Sequence, residues 1–283
     1  MLLHAFKFST CTAAVFPNII TPMKKSFDYL NQKKLKKIAI SMITCYDYLM
    51  ASIIEETSID TVLVGDSLGT NLLGYSSEKE VTMQDMIHHT KAVCRGIKHA
   101  LVVADLPYQS YTTPSLAVNN ALLLQKAGAD AVKFEGFFPE IVQALKKNNI
   151  PCVCHLGLLP QTTSTKKLQA ADKPAATLLL QQAKELETAG ADLLILELVP
   201  EEVAQQCANQ LTIPVIGIAA GRFCDGQVQI LYDILGLTKK QFKHVPLFEQ
   251  FREQYRTIFQ SYHNKIEDHT LLDSDHSFHI DNF

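Results

Sequence analysis

Eight short runs of apolar, often β-branched residues recur along the chain with almost no polar alternation. They occupy positions 38–44, 61–64, 101–104, 131–134, 151–154, 193–196, 213–218 and 228–232. Runs of that length and character read as strands buried on both faces, the situation inside a parallel sheet. Longer amphipathic stretches separate them. Residues 83–95 carry apolar side chains at 83, 86, 87 and 93, and Thr82 stands three positions ahead of Asp85, the spacing of a helix-starting capping box. Residues 114–127 open on a proline and stop before Gly128, and residues 175–189 stop before Gly190. The segments KAGADAVKFEG and TAGADLLILEL are near duplicates, each a helix end, a glycine cap, a turn and a strand. Eight strands with intervening helices over about 220 residues predict a (β/α)8 TIM barrel. A doubly wound open sheet would need a G-x-G-x-x-G after its first strand, and none is present.

A chain of 283 residues, 47% hydrophobic and 19% charged, is enough for one such barrel. Residues 1–26 differ in character and read as an N-terminal extension, disordered or accessory. Residues 27–283 read as a single barrel domain ending in a helix and a tail. Lys7 and Pro17 interrupt the apolar stretch a secretory signal would need, and Met23 is a candidate start. No apolar run approaches 18 residues, and 26 basic against 29 acidic side chains give a net charge of −3. Neither a transmembrane helix nor a nucleic-acid partner is expected. The seven cysteines are irregularly spaced and lack the paired C-x2-C spacing of zinc sites, so they read as free thiols in a reducing cytoplasm.

The chemistry of a barrel sits at the C-terminal ends of its strands. Five consecutive runs end in ionisable groups: Gly65-Asp66-Ser67, Asp105, Lys133-Phe134-Glu135, Cys154-His155 and Glu197. Each alone has an ordinary explanation, a helix N-cap or a solvated loop residue. Together, four carboxylates at equivalent places cannot all stay charged in a barrel mouth without cations. Three carboxylate ligands from such a set, with substrate and water oxygens, suit Mg2+. Lys133 and Glu135 are two apart on a strand, so their side chains share a face.

A set of longer stretches carries a resemblance: ITCYDYLMA (43–51), LVGDSLG (63–69), VTMQDMIHHTKAVCRG (81–96), VVADLPYQSY (102–111), AGADAVKFEG (127–136), HLGLLPQ (155–161), LLILELVP (193–200), IPVIGIAAG (213–221), DGQVQILYDILG (225–236) and HSFH (276–279). In this order they resemble the ketopantoate hydroxymethyltransferase family over residues 28–280. The resemblance implies a phosphoenolpyruvate/pyruvate-type TIM barrel, Mg2+, a decameric homo-oligomer, and one-carbon transfer from 5,10-methylenetetrahydrofolate to 3-methyl-2-oxobutanoate. It assigns Asp66, Asp105 and Glu135 to the metal. It assigns Asp66, Ser67, Asp105 and Lys133 to the 2-oxo acid, Glu197 to the general base, and His155 to a supporting hydrogen bond.

Several positions depart from that pattern. The family's glycine-aromatic lid of the type FGGYKVQGR is replaced by TTSTKKLQAADK (162–173), which has no glycine. Cys154, Leu159, Ala219 and Tyr232 replace the family's G, T, G and H at their positions. Two alternatives stand beside this reading: a weakened paralogue kept as an oligomeric binding protein, supported by the altered lid and the N-terminal tail, and a related Mg2+-dependent lyase or mutase. The K-x-C-G-H loop of that second group is absent.

Overall fold

The computed structural model describes residues 23–280 apart from positions 164, 166, 240 and 247. Most of the expected N-terminal extension, residues 1–22, lies outside the described residues. The eight expected strands form β1 (Ile40–Thr44), β2 (Thr61–Val64), β3 (Leu101–Asp105), β4 (Ala131–Glu135), β5 (Cys152–Gly157), β6 (Leu193–Glu197), β7 (Val215–Ile218) and β8 (Gly226–Gln229). All neighbouring pairs are parallel, and β1 pairs with β8 to close the barrel, from Ile40 opposite Gly226 to Ile43 opposite Gln229.

Helix α1 (Phe27–Leu35) precedes β1; α2 (Tyr48–Glu55), α3 (Met83–Gly96), α4 (Pro114–Ala127), α5 (Pro139–Lys147), α6 (Lys173–Ala189) and α7 (Glu201–Gln210) follow β1 to β6, and α8 (Leu231–Ile234) and α9 (Phe251–Glu267) follow β8. The Thr82–Asp85 capping box opens α3, and Gly128 and Gly190 close α4 and α6 with left-handed backbone.

Two apolar layers follow from the two-residue period of a strand. Leu63, Leu101, Val103, Ala131, Val153, Leu193, Ile195, Ile216 and Val228 fill the barrel interior. Val62, Val64, Val102, Ala104, Val132, Phe134, Cys152, Cys154, Leu194 and Leu196 face outward against the helices. Continuing the inward parity by one step carries Asp105, Lys133, Glu135, His155 and Glu197 to the C-terminal mouth.

The last strand differs from expectation. It ends at Gln229, and Tyr232, expected in the strand, lies in α8. Gly226 explains the shift, since a Cβ there would stand 2.2 Å from the Ile40 carbonyl oxygen, so the sheet closes through a glycine that the apolar pattern skips. The Leu231 N–H then donates to Thr44 Oγ1 at 3.0 Å, which turns the chain out of the sheet.

The opposite end is plugged by α1, whose Leu30 reaches the inner layer. Asp60, buried at the start of β2, accepts from Lys33 Nζ at 2.5 Å, Tyr29 Oη at 3.0 Å and the Ser41 N–H at 2.9 Å. Lys34 Nζ reaches Asp225 at 2.7 Å. Lys24 pairs with Asp130 at 2.9 Å, and the Lys25 N–H donates to the His99 carbonyl at 2.7 Å.

Candidate active site

A cavity of about 660 Å³ opens at the C-terminal mouth. Asp66, Ser67, Asp105, Lys133, Glu135, His155 and Glu197 all line it. The residues singled out from the sequence therefore meet in one place, although they come from five strand ends.

Lys133 is buried and holds both Asp105 oxygens at 3.0 Å. The Asp66 N–H donates to Asp105 Oδ2 at 3.1 Å. The His155 ring lies between two carboxylates, with Nδ1 3.5 Å from Glu135 Oε1 and Nε2 3.4 Å from Glu197 Oε2. These are ion-pair contacts whose geometry falls short of hydrogen bonds. Tyr46, wholly buried, shares a 2.9 Å hydrogen bond with Ser67 Oγ.

Burial, and then the Asp105 charge, push the Asp66 carboxyl well above its usual value. Burial raises Asp105 too, against the pull of Lys133. Burial works against the Lys133 ammonium, but Asp105, Glu135 and Asp66 outweigh it and raise the group. Burial likewise disfavours the His155 imidazolium, yet Glu135 and Glu197 lift it to about 9. Burial would raise Glu135, but His155, Lys133 and the Gln161 N–H together hold it low.

Among the described residues, no three carboxylate, imidazole or thiol groups form a ready-made metal cage. The three carboxylates share one mouth without closing on one point. A small divalent cation does not need that cage, because it keeps several waters and takes only one or two carboxylates with substrate oxygens. Asp66 and Asp105, two buried carboxyls both pushed up beside a cavity, are in the environment such a cation relieves. The residues fit.

The cavity has two unlike walls. Its charged groups stand at the ends of β2 to β5, with Glu197 at the end of β6. Ile195, Ile218, Val228 and Ile230 form an apolar patch on the side facing β6 to β8, beside Asp233, Thr238 and His244, which also line the cavity.

Three contributors escaped the sequence reading. Gln161, Tyr111 and Tyr46 are buried behind the lining residues. Gln161 Nε2 donates to Asp66 Oδ2 at 2.7 Å, across 95 residues of chain. Gln161 follows a strand by several residues, and neither periodicity nor charge distinguishes it; its motif HLGLLPQ was the only signal.

The altered positions are not spread evenly. Cys154 packs outward in the helix-facing layer. Ala219 lines the cavity, and Tyr232 meets the Tyr46 ring edge-on at 5.5 Å. The substituted loop touches the site's edge where the Gln169 N–H donates to the Leu198 carbonyl at 2.9 Å.

The family model described as ketopantoate hydroxymethyltransferase matches residues 24–271. The chain belongs to this family. Among curated relatives named 3-methyl-2-oxobutanoate hydroxymethyltransferase, the one from Clostridium acetobutylicum is 40% identical over 92% of this chain and 97% of its own length. That from Syntrophus aciditrophicus is 44% identical over 87% of this chain and 93% of its own. Membership makes the chain one of a family of transferases.

Solved structures agree on the fold. Phosphoenolpyruvate phosphomutase from Streptomyces platensis aligns with a TM-score of 0.61 at 13% identity, covering 89% of this chain and 92% of that one. A 2,3-dimethylmalate lyase of the PEP mutase/isocitrate lyase superfamily gives 0.59 at 15%, with the same coverage. Those likenesses show the (β/α)8 barrel fold alone, so the lyase or mutase alternative gains nothing from them. The family of hydroxymethyltransferases is the one whose sequence pattern runs through the whole domain.

Proposed function

We propose that this ketopantoate hydroxymethyltransferase family member moves a one-carbon unit from 5,10-methylenetetrahydrofolate to C3 of 3-methyl-2-oxobutanoate, giving 2-dehydropantoate, a step of pantothenate synthesis. The observation that carries the reading is the buried Lys133–Asp105 pair flanked by Asp66, Glu135, His155 and Glu197 in one cavity with an apolar opposite wall.

Lys133 and Ser67 hold the substrate carboxylate, and the β6 to β8 wall takes its branched hydrocarbon end. Asp66, Asp105 and Glu135 would hold Mg2+, which supplies Lewis-acid stabilisation of negative charge on the keto oxygen. Glu197 takes the C3 proton. His155 fixes the Glu197 carboxylate from one side while Glu135 holds the imidazole from the other. The resulting carbanion carbon bonds to the folate-borne methylene. Overall both methylene C–N bonds of the folate break: C3 and a water oxygen take their places on the carbon, one water proton stays on the new hydroxyl, and the other water proton and the C3 proton end on the two nitrogens of the departing tetrahydrofolate.

The cavity lies within the size range, roughly 300–1,000 Å³, that holds drug-sized ligands, which leaves space for the co-substrate beside a small oxo acid. A homo-oligomer, decameric by family resemblance, is proposed with this activity. Cytoplasmic placement is proposed too. It is supported by the unpaired state of the six cysteines among the described residues and by the lack, among those residues, of a helix long and apolar enough to cross a membrane.

The test needs no folate. The protein is incubated with 3-methyl-2-oxobutanoate and Mg2+ in D2O, and the C3 proton is followed by NMR. Metal-dependent exchange is expected, slowed about 10²- to 10⁴-fold in Glu197→Gln and also lost in Asp66→Ala. Absence of exchange in the wild type, or exchange undiminished in Glu197→Gln, would overturn the assignment.

A further inference from the structure

Gln161 is fully buried and is the last residue before the altered segment 162–173. Its side-chain amide and its backbone N–H are both spent on the site. Nε2 donates to Asp66 Oδ2 at 2.7 Å and to the Leu106 carbonyl at 3.0 Å. The backbone N–H donates to Glu135 Oε2 at 3.0 Å. Oε1 accepts from the Tyr111 hydroxyl. Leu106 offers only a carbonyl and so requires the amide nitrogen on its side, which fixes the amide's orientation by chemistry. Tyr111 is buried as well, and its hydroxyl stands 3.3 Å from the Glu135 carbonyl oxygen and 3.4 Å from the Glu135 nitrogen.

One residue therefore ties two carboxylates from different strand ends. Gln161 holds one oxygen of Asp66 through its amide and one oxygen of Glu135 through its backbone. The second Asp66 oxygen has no hydrogen-bond partner among the described residues, and Asp66 lines the cavity. An amide that accepts nothing from the ligand and donates to the ligand's carboxylate is a common outer support of metal sites, and its loss typically weakens metal binding about 10- to 100-fold.

We propose that Gln161 is a positioning residue for the divalent cation, setting the Asp66 and Glu135 carboxylates relative to each other, with Tyr111 locking the amide. The inference rests on the reading of Asp66, Asp105 and Glu135 as the metal-holding set. It also gives segment 162–173 a route into the site that does not require contact with substrate.

Mn2+ serves as the probe, and its dissociation constant is measured by equilibrium dialysis without oxo acid or folate. Gln161→Met keeps the side-chain volume while removing both amide donors. Its Mn2+ dissociation constant is expected to rise about 10- to 100-fold. Tyr111→Phe is expected to raise it less, in the same direction. Asp60→Asn, a destabilising change at the far end of the barrel, is the control and is expected to leave the constant unchanged. Melting midpoints in metal-free buffer establish that each variant is folded.

Wild-type Mn2+ affinity in folded Gln161→Met overturns the positioning role. Equal weakening by Asp60→Asn overturns it too, because the effect would then follow stability alone. Should Gln161→Met fail to fold, wild-type affinity in Tyr111→Phe overturns it. A wild-type protein that binds no Mn2+, either alone or with 3-methyl-2-oxobutanoate present, overturns the metal reading itself, which separates that failure from failure of the inference.

Discussion

Ala170, Leu198 and Ala219 hold left-handed backbone, with φ of +50°, +50° and +53°. Residues with a Cβ resist that region, and those that occupy it need support from their surroundings. Leu198 has it: its carbonyl accepts from the Gln169 N–H at 2.9 Å, and its N–H donates to the Ile218 carbonyl at 3.0 Å. Leu198 and Ala219 line the cavity, and Ala170 sits beside Gln169. Ala219 stands where the family pattern has glycine, and Ala170 lies in the loop that has lost its glycines. Replacing either alanine by glycine is expected to stabilise the fold by about 1 kcal/mol, read by chemical denaturation. A loss of stability at both positions would show the strain to be relieved elsewhere. At this scale the sequence was legible wherever strand parity operated: Asp105, Lys133, Glu135, His155 and Glu197 could all be named from where each apolar run stopped. Gln161 could not, because its importance comes from a contact with Asp66 that only the closed barrel creates.

Among the elements, the clamp of α1 on the barrel floor carries the clearest energetic statement. Burial alone would raise Asp60, but Lys33, the Ser41 N–H and the Tyr29 hydroxyl outweigh it and hold the carboxyl below its ordinary value. A carboxyl held low contributes stability that is complete above the ordinary carboxylate range. That contribution fades as pH falls through the lowered value. Asp60→Asn is expected to cost about 1.5–3 kcal/mol at neutral pH, the worth of a hydrogen bond to a charged group. The difference between variant and wild type should shrink below about pH 4, where the unfolded carboxyl also protonates. Urea titrations at pH 7 and pH 3.5 check both statements, and an unchanged difference at the lower pH would contradict the linkage. Seven of the eight strands lie within a few residues of where the apolar runs place them. The eighth begins two residues earlier than expected because Gly226 and the polar Gln227 belong to it, and a pattern search for apolar residues passes over both.

At the scale of the molecule, α9 stands apart. No residue of this 17-residue helix is buried, and Tyr255, Ile258, Phe259, Tyr262 and Ile266 are all exposed along it. Those positions recur at helical spacing, so they form one apolar stripe on a helix whose other positions are mostly polar. The proposed homo-oligomer gives such a stripe a place to be covered. Phe259→Glu combined with Tyr262→Glu is expected to lower the assembled mass measured by light scattering, and an unchanged mass would place the contacts elsewhere. Nothing in the periodicity of α9 distinguishes packing on the barrel from packing on a second copy, so the sequence left this question open while resolving the barrel around it.

The unlike walls of the cavity give the barrel a division of labour. In the proposed reaction, proton removal and charge handling fall to the ends of β2 to β6, whereas Ile195, Ile218, Val228 and Ile230 would meet the substrate's hydrocarbon end. Enlarging or narrowing that wall would retune which branched oxo acid is accepted without redrawing the acid-base machinery. The scaffold therefore separates appetite from chemistry, and one can be altered while the other is inherited unchanged.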